Sequence, residues 1–351
     1  MMADARLTYM NSHVHLVVPD LFLPGEIASK VCAGLHLPAL EKILSRARSA
    51  PLCETSLEDW LCQTFGVAEQ AIAPVTLQAD EVEPGTHYWL RADPVHLRIL
   101  HDQLILQPVM AEREVAAQLC AALNEHFAGD DLHFVAPHSQ RWYLRLGNDP
   151  RIDTASLAQV VGKNVHQFLP QGQEGLRWHS ILNEIQMLLF AHPLNEAREL
   201  RGEWQINGLW LWGGGYAGAA LRRPFGRVYT DSELAAAFAT VADVGCAPLP
   251  GGDGMEDVER CIKDGSQEVL IVWDGLRAAL QDGDLGGWRE SLQHLEQRCA
   301  YPLLQALRSG LIEKITLDAV QETSSRRFVL TRHDNWKFWR RARRLDCHSR
   351  T

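Results

Sequence analysis

The sequence has 351 residues, of which 46% are hydrophobic and 22% charged, and its formal net charge is -10. This composition is typical of a folded chain that buries one large core, or a core and a smaller second unit, and it excludes general disorder. The negative charge argues against broad attraction to nucleic acid or to an anionic membrane surface.

The cysteine pattern and the lack of long apolar runs indicate the cellular compartment in which the protein is found. The eight cysteines are scattered and none stands in a C-x-x-C pair, which excludes a zinc ribbon and a thioredoxin-like motif. The N-terminus has no secretory signal pattern, and no apolar run approaches the roughly 20 residues of a membrane span. We therefore expect a cytoplasmic protein with reduced cysteines.

The first part of the chain predicts a buried strand followed by two helices. His13–Pro19 is a near-continuous apolar run, typical of a strand covered on both faces, and Asp20 follows at its end. Residues 38–48 have apolar side chains at helical spacing, and Ser56 is placed to cap a second helix. Residues 71–86 are rich in Ala, Pro, Asp and Glu and predict a connection.

The middle of the chain predicts strands and helices in alternation. Apolar stripes indicate helices at 112–127 and 177–191, and the second should end at His192 because the residue before a proline is disfavoured in a helix. Short apolar runs predict strands at 88–92, 104–106, 132–135 and 142–146.

The last third of the chain predicts three further strands and two helices. The strands are 207–212, 269–273 ending at Asp274, and 315–317 ending at Asp318. The helices are one capped by Asp231 and a long one over 287–308. Because strands and helices alternate, the predicted fold class is α/β.

Three glycines after the first of these strands have the spacing of a dinucleotide-binding fingerprint, namely Gly213, Gly215 and Gly218. Pro224 comes too soon for the long helix that should follow such a loop, and no strand-helix-strand unit precedes it. We therefore expect a close-packed glycine turn here.

Aspartate ends three of the predicted apolar strands, at Asp20, Asp274 and Asp318. If these carboxylates gather at one edge of a sheet, they form a site for a divalent metal ion. The alternative is that each aspartate starts the loop after its strand and caps the next turn. Spacing alone leaves both interpretations open.

Several unusual residues recur in a fixed order from Ala111 onward. A loop Val161-Gly162-Lys163-Asn164-Val165 is followed by His192-Pro193-Leu194-Asn195 with Arg198, and then by Asn207 before a Trp-rich strand. This order resembles the archaeal-type cofactor-independent phosphoglycerate mutases of the alkaline phosphatase superfamily. The chain resembles more closely still a bacterial group of RpfE-type regulatory proteins.

The resemblance implies a fold and a division into domains. The fold is an alkaline-phosphatase-like central mixed sheet flanked by helices, with an inserted α+β domain. The core is then expected at 1–86 and 208–351, and the inserted domain at 87–207.

The resemblance also implies site residues, because members of that family bind two divalent metal ions beside a serine nucleophile. The metal-ligand positions are taken by Asp20, Asp274, Asp318 and His333. Ser56 is the candidate catalytic nucleophile.

Two of the family's histidines are absent, because Ala278 and Ala319 stand at their positions. Each of two metal ions needs several nitrogen and oxygen ligands, so the missing imidazoles indicate loss of catalysis by a metal pair. A divalent cation, Mg, Mn or Zn, is the expected cofactor only if the site still functions.

Five residues of the middle region are candidates for binding a phosphorylated ligand, and Arg91 and Arg198 are favoured because a guanidinium matches phosphate oxygens. The others are Lys163, Asn195 and Asn207. The alternative is that the arginines form structural ion pairs within the inserted domain.

The first functional hypothesis is a non-catalytic relative of phosphoglycerate mutase that binds a small phosphorylated metabolite or a regulatory protein. The second is a metal-dependent phosphoryl-transfer enzyme, of mutase or phosphatase type, with a rearranged metal site. The third is an interaction module that uses some of its 11 tryptophans as interface anchors.

Overall fold

The structure is a computed structural model that describes residues 12–54, 56–249, 267–322, 324–337 and 339–349. The chain divides into two compact units. One consists of the residues up to Gly66 and those from Leu221 onward, and the other of Val67–Ala220.

The first unit opens with a strand, two helices, a short strand and a third helix. These elements are β1 (His13–Pro19), α1 (Gly25–Val31), α2 (Pro38–Arg46), β2 (Arg48–Pro51) and α3 (Leu57–Phe65). Pro38 is the first residue of α2, and the Ser56 hydroxyl oxygen accepts a hydrogen bond from the Asp59 backbone N–H at the start of α3.

The second unit mixes strands and helices. Its elements are α4 (Ile72–Ala79), β3 (Tyr88–Leu100), β4 (Gln103–Pro108), α5 (Arg113–His126), β5 (His133–Val135), β6 (Tyr143–Leu146), β7 (Ile152–Asp153), α6 (Leu157–Val160), β8 (Gln171–Gly172), α7 (Gly175–Phe190), α8 (Pro193–Leu200) and β9 (Gly208–Tyr216), with 3₁₀ turns at Ala68–Gln70 and Val165–Gln167.

The chain then returns to the first unit. The remaining elements are β10 (Arg227–Thr230), α9 (Glu233–Val241), β11 (Gly245–Ala247), β12 (Glu268–Val272), α10 (Gly275–Gln281), α11 (Leu285–Leu295), a π-helical turn (Glu296–Ala300), α12 (Tyr301–Ser309), β13 (Lys314–Val320), β14 (Arg326–Thr331), α13 (Arg332–Asn335) and α14 (Leu345–His348).

A seven-stranded mixed sheet organises the first unit, in the order β11-β10-β12-β1-β13-β14-β2. The first five strands are parallel, and the last two each run antiparallel to the strand before. In the middle of the sheet, Val17 of β1 is level with Val272 of β12 on one side and with Asp318 of β13 on the other. Strands from both ends of the chain therefore build this sheet.

Both faces of this sheet are covered by helices, which explains why β1 is apolar at nearly every position. On one face Leu16 lies in a core with Leu40 of α2 and Leu303 of α12. On the other face the His15 ring contacts Trp60 of α3 edge to face, with ring centroids 5.2 Å apart. The α/β class and the central mixed sheet flanked by helices are confirmed.

A second sheet organises the second unit, in the order β4-β3-β6-β5, with β9 also paired to β3. Strand β3 is longer than predicted because its first half pairs with β6 and β9, whereas its second half forms a hairpin with β4. Leu119 and Leu123 of α5 and Ile185 of α7 lie in the core of this unit.

Two predicted strand ends are wrong. Strand β13 continues to Val320, so Asp318 lies inside the strand, opposite Arg327 of β14. Strand β9 continues to Tyr216, so Gly213 and Gly215 lie in a strand and the expected glycine turn is absent from this segment.

Three helix predictions also need correction. Helix α4 lies within the predicted connection, and its Pro74 is tolerated because the first-turn N–H groups of a helix have no intrahelical partner. Ser232 rather than Asp231 is the residue before α9. The long helix expected over 287–308 is interrupted by the π-helical turn.

The second unit, Val67–Ala220, is longer at both ends than the 87–207 expected for the inserted domain, and the boundaries of that domain stay a prediction. Helix α4 and the glycine-containing end of β9 pack together, and β9 pairs with β3, so residues 67–86 and 208–220 belong with it. The boundaries follow these tertiary contacts, which local composition does not reveal.

Two further findings concern the described residues. No helix in these ranges has the length and apolar character needed to cross a bilayer. Seven of the described cysteines are outside any disulfide, four of them buried, and Cys261 lies outside the described residues.

Candidate functional site

Asp318 is fully buried on the face of the large sheet that α3 covers, and protein donors satisfy its carboxylate. Its Oδ2 accepts hydrogen bonds from His15 Nε2 at 2.7 Å, Trp60 Nε1 at 2.8 Å and Arg327 Nη2 at 2.6 Å. Its Oδ1 accepts a fourth bond, from Arg327 Nε at 2.8 Å. Burial alone would raise the pKa of Asp318, but the bonds from Arg327 and His15 outweigh burial and lower it to about 2.

A second charged group lies at the carboxyl edge of the same sheet. Asp20 follows β1, Asp274 precedes α10, and Glu58 lies in the first turn of α3. Arg277 of α10 donates from Nη1 to Glu58 Oε1 at 3.0 Å and from Nη2 to Asp274 Oδ2 at 2.7 Å. We call these four residues the carboxyl-edge cluster.

Burial and neighbouring charges shift the pKa values of Asp20 and Arg277 in this cluster. Burial raises the pKa of Asp20 to about 6, against the effect of Arg277, and the Asp274 carboxylate adds to the rise. Burial would lower the pKa of Arg277, but the Glu58 and Asp274 carboxylates raise it. Glu58 Oε2 and Asp274 Oδ1 are buried and accept no hydrogen bond from the residues that the structure describes.

The predicted metal ligands have different charged neighbours. Asp20 and Asp274 lie in the carboxyl-edge cluster, whereas the charges that act on the Asp318 pKa are those of His15 and Arg327. In the described ranges, no group of three or more His, Cys, Asp or Glu side chains is placed to hold a metal ion. Arg277 and Arg327 already donate hydrogen bonds to Asp274 and Asp318, which is a poor fit to the two divalent ions that the resemblance implies, and the metal-ligand roles stay predictions.

The other two predicted catalytic-centre residues have different surroundings. The Ser56 hydroxyl oxygen caps α3 by accepting a hydrogen bond from the Asp59 N–H at 3.0 Å. His333 lies on the short helix α13 and is exposed. A nucleophilic role for Ser56 and a metal-ligand role for His333 stay predictions.

Arg91 is buried inside the second unit, where two of its nitrogens donate to a buried carboxylate. Its Nε and Nη2 donate to Asp93 Oδ1 at 3.0 and 2.6 Å, and Trp212 Nε1 donates to Asp93 Oδ2 at 2.6 Å. The guanidinium also lies over the rings of Tyr143 and Trp212, at 5.4 and 5.2 Å from their centroids. This geometry favours the structural ion pair over an anion-binding role.

The HPLN segment that carries the resemblance is also used structurally. His192 precedes α8, and its Nδ1 accepts a hydrogen bond from the Leu194 N–H. The Asn195 side chain donates to the carbonyls of Leu189 and Ile206, at 2.6 and 2.8 Å, and accepts from the Ile206 N–H. These bonds attach α8 to the end of α7 and to the residue before Asn207.

Arg198 and Asn207 complete this set of internal contacts. Arg198 donates to the Trp204 and Met110 carbonyls at 2.9 and 3.1 Å. Asn207 bonds both the N–H and the carbonyl of Leu97, at 2.6 and 2.9 Å. Of the five predicted ligand-binding residues, Lys163 alone is exposed, with its ammonium 5.7 Å from the centre of the Phe168 ring.

A cavity of about 480 Å³ lies in the first unit at the carboxyl ends of β10 and β12. Trp273 and Leu249 supply part of the apolar wall. The polar and charged lining residues are Thr230, Asp231, Glu290, Ser291, His294 and Arg298. Asp231 also accepts a hydrogen bond from the Asp274 backbone N–H at 2.9 Å, which joins the cavity to the residue before α10. Open parallel sheets bind ligands at this edge.

The sequence interpretation missed four residues that determine this geometry. They are His15, Glu58, Arg277 and Arg327. The apolar pattern of β1 did place His15 within a buried strand, where a titratable side chain needs a partner. For Glu58 and Arg277 no local signal exists, since they lie 219 positions apart.

Comparisons with known proteins agree with a distant relationship. No protein-family model matches the chain. The chain is 26% identical over 101 residues to the 2,3-bisphosphoglycerate-independent phosphoglycerate mutase of Methanosarcina mazei, and 24% identical over 146 residues to that of Methanosarcina acetivorans. These alignments cover 28% and 40% of this chain, and only 25% and 37% of the relatives.

A solved structure covers almost the whole chain. The PH0037 protein from Pyrococcus horikoshii aligns with 96% of this chain and 92% of its own, with a TM-score of 0.57 and 14% identity. At this identity the likeness concerns the fold alone, and it agrees with the predicted alkaline-phosphatase-like α/β arrangement. In sequence the chain is phosphoglycerate mutase-like and a remote relative of the archaeal cofactor-independent enzymes.

Proposed function

We propose that this protein is a degenerate, non-catalytic relative of the cofactor-independent phosphoglycerate mutases that acts by binding a ligand or a regulatory partner. A cytoplasmic location and a role like that of the RpfE-type regulatory proteins are part of the proposal. The matched relatives are named as mutases, so this proposed binding role differs from the activity in their names.

The observation that carries the proposal is the pairing of two predicted metal ligands with arginines. Arg327 donates two hydrogen bonds to Asp318, and Arg277 donates one to Asp274. A carboxylate that binds a metal ion needs free lone pairs. The lone pairs of Asp318 are already used by hydrogen bonds from buried or partly buried protein donors. Bimetal phosphoryl transfer would have to break these charge-assisted bonds first.

The cavity beside Asp231 is the place that best suits a small phosphorylated metabolite. Arg298 and His294 offer donors for an anionic group, and Asp231 and Ser291 offer acceptors for hydroxyl groups. The Arg298 Nε–H is buried and has no acceptor among the described residues. The volume of the cavity is in the range of small-molecule binding sites.

The second candidate is a phosphoryl-transfer enzyme with one metal ion in a rearranged site. The observation in its favour is that no donor within the described part of the chain reaches Glu58 Oε2 or Asp274 Oδ1. Magnesium needs few protein ligands because it keeps several of its waters. Arg277 lies between these two carboxylates and would compete with the ion.

Metal analysis combined with an activity assay distinguishes the two candidates. We expect no stoichiometric manganese, zinc or magnesium in the purified protein, and no conversion of 3-phosphoglycerate with or without added manganese. An archaeal cofactor-independent mutase assayed in parallel serves as the positive control. Turnover that depends on manganese would reject the non-catalytic proposal.

The ligand part of the proposal has its own test. We expect 3-phosphoglycerate or inorganic phosphate to raise the thermal midpoint of the wild type, because a ligand that binds only the folded state stabilises it. Arg298→Met should remove this shift, whereas Arg308→Met, at an exposed position of α12, should keep it. An equal shift in both variants would exclude the cavity as the binding place.

A further inference from the structure

The carboxyl-edge cluster collects three carboxylates around a single guanidinium. Glu58 is 5% exposed, and the Arg277 side chain is 16% exposed, so little water screens their charges. The two branches of the guanidinium are divided between Glu58 and Asp274, at 3.0 and 2.7 Å. A planar fork of this kind holds two carboxylates in place at once.

The remaining charges around the cluster are negative. Asp20 experiences the carboxylates of Asp274, Glu322 and Glu58, and Arg277 is the one cation among the described side chains that acts on it. Without Arg277, buried carboxylates would face one another with no compensating charge. Two of their oxygens already lack a hydrogen-bond donor in the described residues.

We propose that Arg277 is the built-in cation of this cluster and occupies the position that a divalent metal ion would need. The inference rests on the proposed loss of metal chemistry, and it names the group that replaces the ion. The site is thus selective for a planar, delocalised cation that donates in a fork. Emptied of the Arg277 side chain, it should accept a free guanidinium ion.

A double-mutant cycle tests the charge balance. Arg277→Met should lower the thermal midpoint by about 8 °C or more, because it leaves buried carboxylates unpaired. Glu58→Gln should also destabilise the wild type, since it weakens a bond to Arg277. In the Arg277→Met background, Glu58→Gln should instead raise the midpoint, because it removes an uncompensated charge. Glu58→Gln that destabilises both backgrounds equally would overturn the proposal.

Chemical rescue tests the site directly. In Arg277→Ala, millimolar methylguanidinium should raise the midpoint, while the control Arg308→Ala, at an exposed position of α12, should show no rise. Equal responses in the two variants would contradict the proposal. Manganese that stabilises the wild type through a site abolished by Asp274→Asn would also contradict it.

The two proposals can fail separately. Wild-type mutase activity would reject the non-catalytic function, whatever the rescue experiment shows. Absence of both activity and methylguanidinium rescue would leave the function standing and reject Arg277 as the replacement cation.

Discussion

Two aspartates of adjacent strands have opposite electrostatic environments. Asp318 accepts four hydrogen bonds, and its pKa is lowered to about 2 although burial works against this. Asp20 lies beyond the end of β1 near other carboxylates, and burial raises its pKa to about 6. The number of donors that reach each carboxylate, rather than burial alone, decides the direction of the shift.

We expect Asp20→Asn to stabilise the protein at pH 7.5. The pKa of Asp20 is raised in the folded state, so protonated Asp20 contributes stability below about pH 4, and this contribution is lost as the pH rises through about 6. Asparagine stays neutral and tolerates the backbone φ of 54° at this position. Urea unfolding between pH 4 and pH 7.5 should show a smaller loss of stability in the variant.

The matched control for this pH dependence is Asp282→Asn, at an exposed residue that follows α10. This control should keep the wild-type slope between pH 4 and pH 6. If Asp20→Asn keeps that slope as well, another group causes the pH dependence and the raised pKa of Asp20 is contradicted.

At the scale of elements, close approach of the chain explains the glycine run of β9. A Cβ on Gly215 would overlap the Cβ of Ala71 and lie 2.9 Å from its Cα, just before α4. A Cβ on Gly214 would lie 2.5 Å from the Tyr88 hydroxyl. These glycines therefore let β9 pack closely against α4 and β3. This packing joins α4 and the end of β9 to the second unit.

We expect Gly215→Ala to destabilise the second unit by about 2 kcal/mol, because the added methyl group overpacks the contact with Ala71. Gly218→Ala is the matched control: a Cβ at Gly218 meets no atom within 4 Å, so stability should change little. Urea unfolding followed by tryptophan fluorescence measures both. Equal effects of the two substitutions would contradict the packing explanation.

At the scale of the whole molecule, each unit has its own core and an ion pair with a buried aspartate. The first unit contains the Asp318–Arg327 pair, and the second contains the Arg91–Asp93 pair, with N–O distances of 2.6 Å in both. Breaking the Arg91–Asp93 pair, which is buried on both sides, should cost about 3 kcal/mol, because the remaining charge is left without a partner.

We expect the two pairs to protect different parts of the chain. Asp318→Asn should speed amide hydrogen exchange in β1 and β13 and leave α5 and α7 protected. Arg91→Met should have the reverse effect, because it leaves the buried Asp93 carboxylate uncompensated in the second unit. Hydrogen exchange followed by mass spectrometry measures both. A uniform increase across both units in either variant would show that the chain opens as one cooperative unit.

The parts of the fold that the sequence determined are those with a local physical cause. Two-sided burial makes β1 apolar along its length, Pro38 starts α2, and Ser56 caps α3, so these elements are readable from short segments. The alternation of such elements was enough for the α/β class. The residue order from Ala111 onward also indicated the phosphoglycerate mutase-like relationship.

Tertiary structure alone decided the partners of the charged residues. A strand-end aspartate has the same local pattern whether it binds a metal ion, caps a turn or pairs with an arginine. Glu58 and Arg277 lie 219 positions apart, and His15 and Asp318 lie 303 apart, so each bond exists only once the sheet has formed. Electrostatic interactions depend on distance and burial in three dimensions, and neither quantity is encoded within a short segment.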